Sequence, residues 1–181
     1  MLSPGISWPL DWNVIRRNDV ANTFGDKVRQ KGTKPHQGWD LLAYPGTRCY
    51  AIADGEIVFA RDTGKDYGIL IVLKFSHRGR TLFAAYAHMS MCIAKEGKSV
   101  AAGEFIGLTG NTGNARTMKG VDQHLHFELR TIKFPGLGTP GRLDPQCIYG
   151  FVPLHDTIHD PRSPETLSMG RTGIKMPGFN I

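Results

Sequence analysis

The sequence predicts an all-β fold, an antiparallel β-sandwich or partly open barrel with loop-rich terminal extensions. Short apolar runs alternate with Gly, Pro and Asp along the middle of the chain, and helix-friendly runs are scarce. The 22 glycines and 11 prolines among 181 residues favour short strands that are joined by tight turns.

The predicted elements alternate with turn signals along the chain. An ordered leader contains a short helix around residues 19–24, and the one helix candidate of the central region is CIAKEG, residues 92–97. The turn-like segments at residues 62–68 and 76–81 are predicted to join neighbouring strands as hairpins. The strands themselves are predicted at residues 49–53, 56–60, 68–75, 81–89, 101–110 and 124–130.

The C-terminal part of the chain has a different composition. A Gly/Pro-rich connector, KFPGLGTPGRLDP, occupies residues 133–145, and residues 150–181 hold few apolar runs and many turn formers. We expect these last residues to form a tail that wraps on the core and whose end is free to move.

The charge and the cysteines exclude several classes of protein. The net charge of +6 favours anionic polymers, but the basic residues are scattered, so nucleic-acid binding is not predicted. The three cysteines, Cys49, Cys92 and Cys147, show no C-x-x-C spacing, which excludes a zinc ribbon. We expect three buried or half-buried thiols, and one disulfide remains open if the protein works outside the cytosol.

The N-terminus lacks a basic start followed by an apolar run, so it does not predict a cleavable signal peptide. No stretch approaches the ~20 apolar residues that a membrane-spanning helix needs. The pattern fits a cytosolic protein, a mature form, or a protein that is exported without a cleavable signal.

Two histidines lie on one face of a predicted strand. His124 and His126 are two positions apart in HLHFELR, so both side chains project from the same face, while Leu125, Phe127 and Leu129 form the opposite, apolar face. An apolar face behind a polar pair can hold a site rigidly. The spacing leaves open which histidine binds a metal, and ligation by His126 together with Glu128 is sterically conceivable.

A second cluster lies before the predicted strand at residues 49–53. His36 falls in a Gly/Pro loop and Asp40 opens a strand, and imidazole and carboxylate are both good zinc ligands. The H-x-x-x-D spacing alone occurs often by chance. His88 lies at the end of a predicted strand, whereas His77, His155 and His159 are expected in polar surface turns.

Five sequence blocks occur in a fixed order: HQGWDLLAYPGT, AIADGEIV, AYAHMS, EGKSVAAGEFIGLTGNTG and HLHFELR. In this order they resemble the lysostaphin/LytM-type zinc endopeptidases, peptidase family M23, which cleave peptidoglycan cross-bridges. The resemblance covers roughly residues 32–148, including LDP at 143–145. It implies the duplicated hybrid motif of LytM, with a leader at residues 1–31 packed on a catalytic domain at 32–148 and a C-terminal extension at 149–181.

The resemblance also implies roles for individual residues. One Zn²⁺ per chain would be held by His36, Asp40 and His126, which leaves an open position for water, as in catalytic zinc sites. His124 would be the general base, and His88 would stabilise the oxyanion or orient the water. Glu128 would stand behind the ligands or serve in strand pairing.

The link between the GNTG and HLH blocks departs from the family pattern. Family members commonly have a brief Gly/Ser-rich link that ends in Pro, whereas residues 114–123 read NARTMKGVDQ and Gln123 precedes His124. This link is predicted to border the groove, so the choice of substrate could differ. Asn111 and Arg116 are the predicted substrate contacts.

The predicted partners are the peptide stems of peptidoglycan, and the predicted place of action is the periplasm or cell wall. Without a recognisable signal, we expect a non-classical route, for example an antibacterial effector that a secretion machine carries and an immunity protein neutralises. A processed autolysin or a phage-borne lysin is the alternative. The sequence does not decide between a cross-link to diaminopimelate and a glycine bridge.

Two other functions compete with the peptidase. One is a non-catalytic LytM-like module that binds cell wall or activates an amidase, although degenerate modules lose the zinc ligands that are intact here. The other is a cupin-like oxygenase, but Glu128 follows the histidine pair too early for that spacing.

Overall fold

The apolar runs of the central region form a nine-stranded antiparallel sheet in the computed structural model, which describes residues 5–160. The sheet contains β4 to β12, and two short two-stranded ladders, β1 with β13 and β2 with β3, flank it. The strands are β1 (Trp12–Asn13), β2 (Gly25–Arg29), β3 (Lys34–His36), β4 (Trp39–Leu42), β5 (Arg48–Tyr50), β6 (Gly55–Asp62), β7 (Ile69–His77), β8 (Arg80–Cys92), β9 (Ser99–Val100), β10 (Phe105–Thr109), β11 (His124–Arg130), β12 (Arg142–Leu143) and β13 (Ile158–His159).

Helical structure is sparse in the described residues. One short α-helix, α1 (Gln146–Tyr149), follows β12. Four 3₁₀ turns lie at Arg16–Asn18, Val20–Asn22, Gly113–Ala115 and Gly120–Asp122. The predicted all-β class is therefore confirmed. None of the helices within residues 5–160 has the length and apolar character that crossing a membrane requires.

The order of the strands puts β11 in the interior of the sheet. The main path runs β12-β11-β8-β7-β6-β9, with β10 beside β5 and β8. β11 pairs with β8 along one edge, and β4 and β12 share its other edge. The described strands of this path do not close into a barrel, because β9 and β12 stand at its two ends.

The alternation in β11 sorts its side chains as predicted. Leu125, Phe127 and Leu129 are fully buried in the main apolar core. His124 and His126 lie on the other face, and they are buried as well. Burial of both faces leaves these polar side chains little room to change their positions.

The hairpin between β7 and β8 confirms the turn predicted at residues 76–81. Arg78 and Gly79 form its two-residue loop with φ of 49° and 73°. Two successive left-handed residues are the geometry that matches the twist of the flanking strands. From this turn, β8 extends through His88 to Cys92.

Both ends of the described chain pack against the same core. Trp8 stacks on Tyr149 with ring centroids 4.0 Å apart, and the Trp8 backbone N–H donates to Asp160 over 2.9 Å. Strand β1 pairs with β13, and Ile15 forms an isolated bridge to Leu41 of β4. The N-terminal segment is thus part of the folded unit rather than an appendage, and the end of the predicted tail, residues 161–181, lies outside the described residues.

Two local predictions need correction. The helix at residues 92–97 is wrong: the backbone N–H groups of Ile93 and Ala94 both donate to the Ile106 carbonyl, and Gly97 turns the chain with φ of 82°. These backbone N–H groups are thus hydrogen-bonded to β10 and do not take part in a helix. The helix near residues 19–24 is only the 3₁₀ turn Val20–Asn22, which the Asp19 side chain caps by accepting from the Ala21 N–H.

The three cysteines are free thiols in the structure. Cys49 is buried and Cys92 is half-buried, as expected, but Cys147 is exposed on α1. The exposure of Cys147 corrects the expectation that all three would be sheltered. Burial raises the pKa of the Cys92 thiol to about 11, so this thiol stays protonated at neutral pH.

The Trp8 side chain should contribute strongly to stability. Truncation in Trp8→Ala removes the stacked partner of Tyr149 and leaves a cavity, so the free energy of unfolding should fall by about 3–5 kcal/mol. Urea unfolding followed by circular dichroism measures this loss, with the exposed Leu137→Ala as the control. A loss below about 1 kcal/mol for Trp8→Ala would show that the N-terminal segment is not integral to the core.

Candidate metal centre

The register between β4 and β11 brings the candidate ligands together. Asp40 pairs directly with His126, and Leu42 pairs with His124. The prediction that His36 lies in a loop is wrong. It is the last residue of β3, two residues before Gly38. A Cβ on Gly38 would stand 2.2 Å from the Phe127 carbonyl oxygen, so only glycine lets this segment pass so close to β11.

Three donor atoms from three strands form a compact cluster. His36 Nε2 lies 3.1 Å from Asp40 Oδ1 and 3.3 Å from His126 Nδ1, and the last two atoms are 2.8 Å apart. All three residues are buried. Tetrahedral zinc with bonds of about 2.0–2.2 Å separates its donors by roughly 3.3–3.6 Å. The residues therefore fit such an ion after a shift of a few tenths of an ångström.

The hydrogen bonds of His36 fix its tautomer. Its Nδ1 donates to the Thr23 carbonyl over 2.8 Å, and burial lowers its pKa, so the ring is neutral and Nε2 carries a lone pair. That lone pair faces the oxygen of Asp40 with no proton between them. The Arg29 guanidinium contacts both this nitrogen and Asp40, so a cation already occupies the position that a metal would take.

His126 is oriented from behind by a carboxylate. Its Nε2 donates to Glu128 Oε1 over 3.0 Å, which directs Nδ1 towards Asp40. Burial opposes a charge on this ring, but the hydrogen bonds to the two carboxylates outweigh it and raise the pKa of His126 to about 9. A carboxylate behind a ligating histidine is the usual support of a metal site. The structure thus places Glu128 behind a candidate ligand, away from the other two donors.

Glu128 is itself held by three further side chains. Arg130 Nε and Arg142 Nε donate to its Oε2 over 2.6 and 2.8 Å, and the Tyr67 hydroxyl donates to Oε1 over 2.7 Å. Burial would raise the pKa of Glu128, but His126 and the guanidinium groups hold it well below its usual range. The sequence analysis missed this support. Arg130 could have been found, because it lies two positions after Glu128 on the same strand face.

His124 lies beside the three donors without joining them. Its Nδ1 donates to the Asp122 carbonyl over 2.8 Å, and its Nε2 is 3.5 Å from Asp40 Oδ1. Burial lowers the pKa of His124, so the ring is neutral at pH 7. Because Nδ1 carries the hydrogen, Nε2 offers a lone pair on the side of the cluster.

His88 owes its position to a bulge in β8. That strand has one extra residue relative to β7 between Tyr86 and Met89, and His88 adopts a left-handed φ of 60°. Non-glycine residues rarely adopt this conformation, and strain of this kind often marks functional sites. Its Nδ1 donates to the Thr112 carbonyl over 3.0 Å. Burial and the neighbouring His126 and His124 lower the pKa of His88 to about 3.

All five predicted ligand and catalytic residues line one open cavity of about 650 Å³. Its wall also contains Met118 and Leu137, and the Leu137 side chain is 94% exposed. Arg142 Nη1 fixes the loop that carries Leu137 by donating to the Gly136 and Gly138 carbonyls over 2.8 and 2.7 Å. The cavity is therefore lined both by the polar cluster and by apolar side chains, and the loop that carries Leu137 is held by Arg142.

The two predicted substrate contacts lie apart from this cavity. Asn111 Nδ2 donates to the Met118 carbonyl over 2.9 Å and so braces the link of residues 114–123. Arg116 lines a neighbouring cavity of about 450 Å³ that shares Lys65, Asp66 and Asn114 with the first. Their role in substrate binding stays a prediction.

The remaining histidines stand elsewhere. His77 ends β7 at the hairpin turn, and His159 lies in β13 with its ring edge-on to Trp12. His155 precedes that strand and is exposed. Among residues 5–160, the cluster of His36, Asp40 and His126 is the only group of three such side chains close enough to share a metal.

Two arginines from the N-terminal segment reach Asp40, which the sequence analysis did not anticipate. Arg29 Nη2 donates to Asp40 Oδ2 and, over 2.9 Å, to His36 Nε2. Arg16 Nη2 donates to the same Asp40 oxygen over 3.2 Å. Burial would raise the pKa of Asp40, but the charges and hydrogen bonds of His124, His36 and His126 hold it well below its usual range. No spacing rule links residues so far apart in the chain.

The sequence is similar to proteins of a known family. The model described as "Peptidase family M23" matches residues 34–138. The murein hydrolase activator NlpD of Salmonella dublin is 33% identical over 123 residues, which cover 68% of this chain and 27% of that protein. The peptidoglycan DD-endopeptidase ShyA of Vibrio cholerae is 33% identical over 113 residues, which cover 61% and 24%.

A solved structure has the same fold. The catalytic domain of the antimicrobial peptidase lysostaphin from Staphylococcus simulans matches with a TM-score of 0.55 and 29% identity, and the match covers 69% of this chain and 86% of that one. The matched part spans about a quarter of the length of the two curated relatives.

Metal binding should depend on pH through His126. Below its pKa of about 9, Nδ1 carries a proton that a metal must displace, so binding at pH 7 should release about one proton from this ring. The zinc dissociation constant should fall by up to about tenfold per pH unit between pH 6.5 and 8.5. Competition with a chromophoric chelator measures it, after correction for the protonation of the chelator. A constant affinity over this range would contradict the assignment of His126 Nδ1 as a ligand atom.

Proposed function

The chain belongs to peptidase family M23, and from this and the site geometry we propose that it is a zinc-dependent endopeptidase that hydrolyses peptide cross-links of bacterial peptidoglycan. One observation carries the proposal: His36, Asp40 and His126 converge from three strands, with His124 and His88 beside them at the floor of one cavity. The similarity to lysostaphin, an antimicrobial peptidase, and to the DD-endopeptidase of Vibrio cholerae supports the same class of reaction.

One Zn²⁺ per chain would be held by His36 Nε2, Asp40 Oδ1 and His126 Nδ1. When bound, zinc supplies Lewis-acid polarisation of the scissile carbonyl and of water. The protein supplies the fixed orientation of the donors, since Thr23 holds the His36 ring and Glu128 holds the His126 ring. Three protein ligands leave room for substrate, as catalysis needs.

His124 is the proposed general base. Its Nδ1 hydrogen is bound to the Asp122 carbonyl, so Nε2 is free to accept a proton from the attacking water and to return it to the leaving amine. The ring can act in this way because burial keeps it neutral at pH 7. The lowered pKa also makes the protonated ring a ready donor in the second step.

His88 is the proposed water-orienting residue. The neutral ring uses its one N–H on the Thr112 carbonyl, so Nε2 is an acceptor and has no hydrogen to give to an oxyanion. Of the two roles that the resemblance implied, the geometry favours orientation of the water. The bulge and the left-handed backbone hold the ring in place for this role.

The proposed partner is the peptide stem of peptidoglycan, and the proposed place of action is the periplasm or cell wall. The cavity of about 650 Å³ lies within the range of ligand-binding clefts. The net charge of +6 favours approach to anionic cell-wall polymers.

Two histidine variants test the division of roles. His126→Ala should lose zinc and activity together, whereas His124→Ala should keep zinc and lose roughly 10²–10⁴-fold in turnover because the base is gone. Zinc content by atomic absorption and release of muropeptides from purified sacculi measure the two effects. His77→Ala, in the distant hairpin turn, is the matched control and should behave as the wild type. Loss of metal in His124→Ala but not in His126→Ala would reverse the assignment.

A second candidate function is activation of another wall hydrolase, which the name of the Salmonella dublin relative favours. The same digestion separates the two candidates. Stoichiometric zinc in a wild-type protein that releases no muropeptides from Gram-negative or staphylococcal sacculi would reject the endopeptidase. Stimulation of a purified amidase by that inactive protein would then support the activator.

A further inference from the structure

The N-terminal segment contributes a side chain to the interior of the site. Residues before 34 lie outside the matched family region, yet Arg16 Nη2 donates to Asp40 Oδ2, the carboxylate oxygen that is not the proposed ligand atom. The Arg16 side chain is 12% exposed, so the contact is made away from bulk solvent. A charged hydrogen bond to a buried carboxylate is stronger than a surface ion pair.

The position of Arg16 is fixed from several directions. Asn22 Oδ1 accepts from its Nη2 over 2.6 Å, and Asn22 Nδ2 donates back to the Arg16 carbonyl over 2.9 Å. The preceding Ile15 is bridged to Leu41, and the Leu42 N–H donates to the Val14 carbonyl over 3.0 Å. The guanidinium therefore stays in place because both its backbone and its head group are anchored next to β4.

The same guanidinium also reaches the residue that orients His124. Arg16 Nη1 donates to the Asp122 carbonyl over 3.3 Å and to Asp122 Oδ1 over 3.2 Å. That carbonyl is the acceptor of the His124 Nδ1 hydrogen. Arg16 thus contacts both the carboxylate of a candidate ligand and the backbone group that sets the tautomer and direction of the candidate base.

We infer that Arg16 is a positioning residue, which fixes Asp40 and His124 relative to each other through Asp40 Oδ2 and the Asp122 carbonyl. The inference rests on the proposed function for the role of His124, but its effect on metal binding does not. Outer groups that hydrogen-bond to metal ligands typically contribute 10- to 100-fold to metal affinity or activity.

The neighbouring Arg29 does not have this role. Its Nη2 donates to His36 Nε2, the lone pair that a metal would use, and its side chain is 37% exposed. Arg29 must therefore leave that nitrogen when a metal binds. Arg16 touches neither His36 nor His126, so its contacts are compatible with an occupied site.

Arg16→Gln tests the inference, with Arg17→Gln as a matched control. Arg17 is 52% exposed and pairs with the Asp122 carboxylate but makes no contact with Asp40. Arg16→Gln should weaken zinc binding by about 10- to 100-fold and lower kcat at saturating zinc by a similar factor, with KM nearly unchanged. Arg16→Lys should recover part of both losses, and Arg17→Gln should stay within about twofold of the wild type. The measurements are zinc competition and the initial rates of muropeptide release.

Equal zinc affinity and equal kcat in the wild type and in Arg16→Gln would overturn the inference. So would an equal loss in Arg17→Gln, because the effect would then come from the Asp122 carboxylate. An inactive wild type would reject the proposed peptidase. The zinc dissociation constants of Arg16→Gln and Arg17→Gln would still test the inference in that case.

A further variant covers the case in which Arg16→Gln does not fold. Asn22→Ala keeps the Arg16 cation but removes its anchor, and it should weaken zinc binding by about threefold or more. Thermal unfolding of the metal-free protein checks that the variant is folded. An unchanged zinc affinity in folded Asn22→Ala would overturn the inference.

Discussion

The antiparallel pairing of β4 with β11 places Asp40 opposite His126, and the candidate metal centre depends on this register. A slip of one residue would turn the two histidines of β11 into the apolar core and bring Leu125 to the site. The register is held by the burial of Leu125, Phe127 and Leu129 and by the close passage of Gly38 over the Phe127 carbonyl. Packing thus fixes the geometry of the polar face.

The site carries an unusual density of charge for a protein interior. Two buried carboxylates, Asp40 and Glu128, stand on either side of His126, and each forms ion pairs with two arginines. Burying an unpaired carboxylate would raise the free energy of the folded state. The arginines offset this cost and stabilise each carboxylate in its ionised form. The ionised form is the one that can orient or bind a cation, so the stability of the site and its chemistry depend on the same ion pairs.

The sequence predicted the parts of the site that depend on short spacings. The alternation of HLHFELR defined β11 and its two faces, and the turn at Arg78 and Gly79 was recognisable because few residues adopt left-handed backbone. The prediction that His36 and Asp40 share a site with His126 of β11 came only from the resemblance to a family, because the H-x-x-x-D spacing is common by chance.

The contacts that the sequence could not predict are those between remote residues. Arg16, Tyr67 and Arg142 are separated from their carboxylate partners by 24, 61 and 14 positions. Local patterns carry no information about such pairs. The wrong helix at residues 92–97 has the same origin, because pairing with β10 overrode a weak local preference.

The packing of both ends of the described chain against one core has a consequence for how this folded unit could be moved between proteins. The region that defines the family, residues 34–138, lacks Trp8, Ile15 and Tyr149 of the core and also lacks Arg16. A graft of that region alone would carry every proposed ligand. It would lack the Trp8–Tyr149 stack, which packs on Trp39 and Phe127, and the Arg16 guanidinium, which contacts Asp40. The unit that folds around this core is therefore longer than the region matched by the family, and it includes at least residues 6–160.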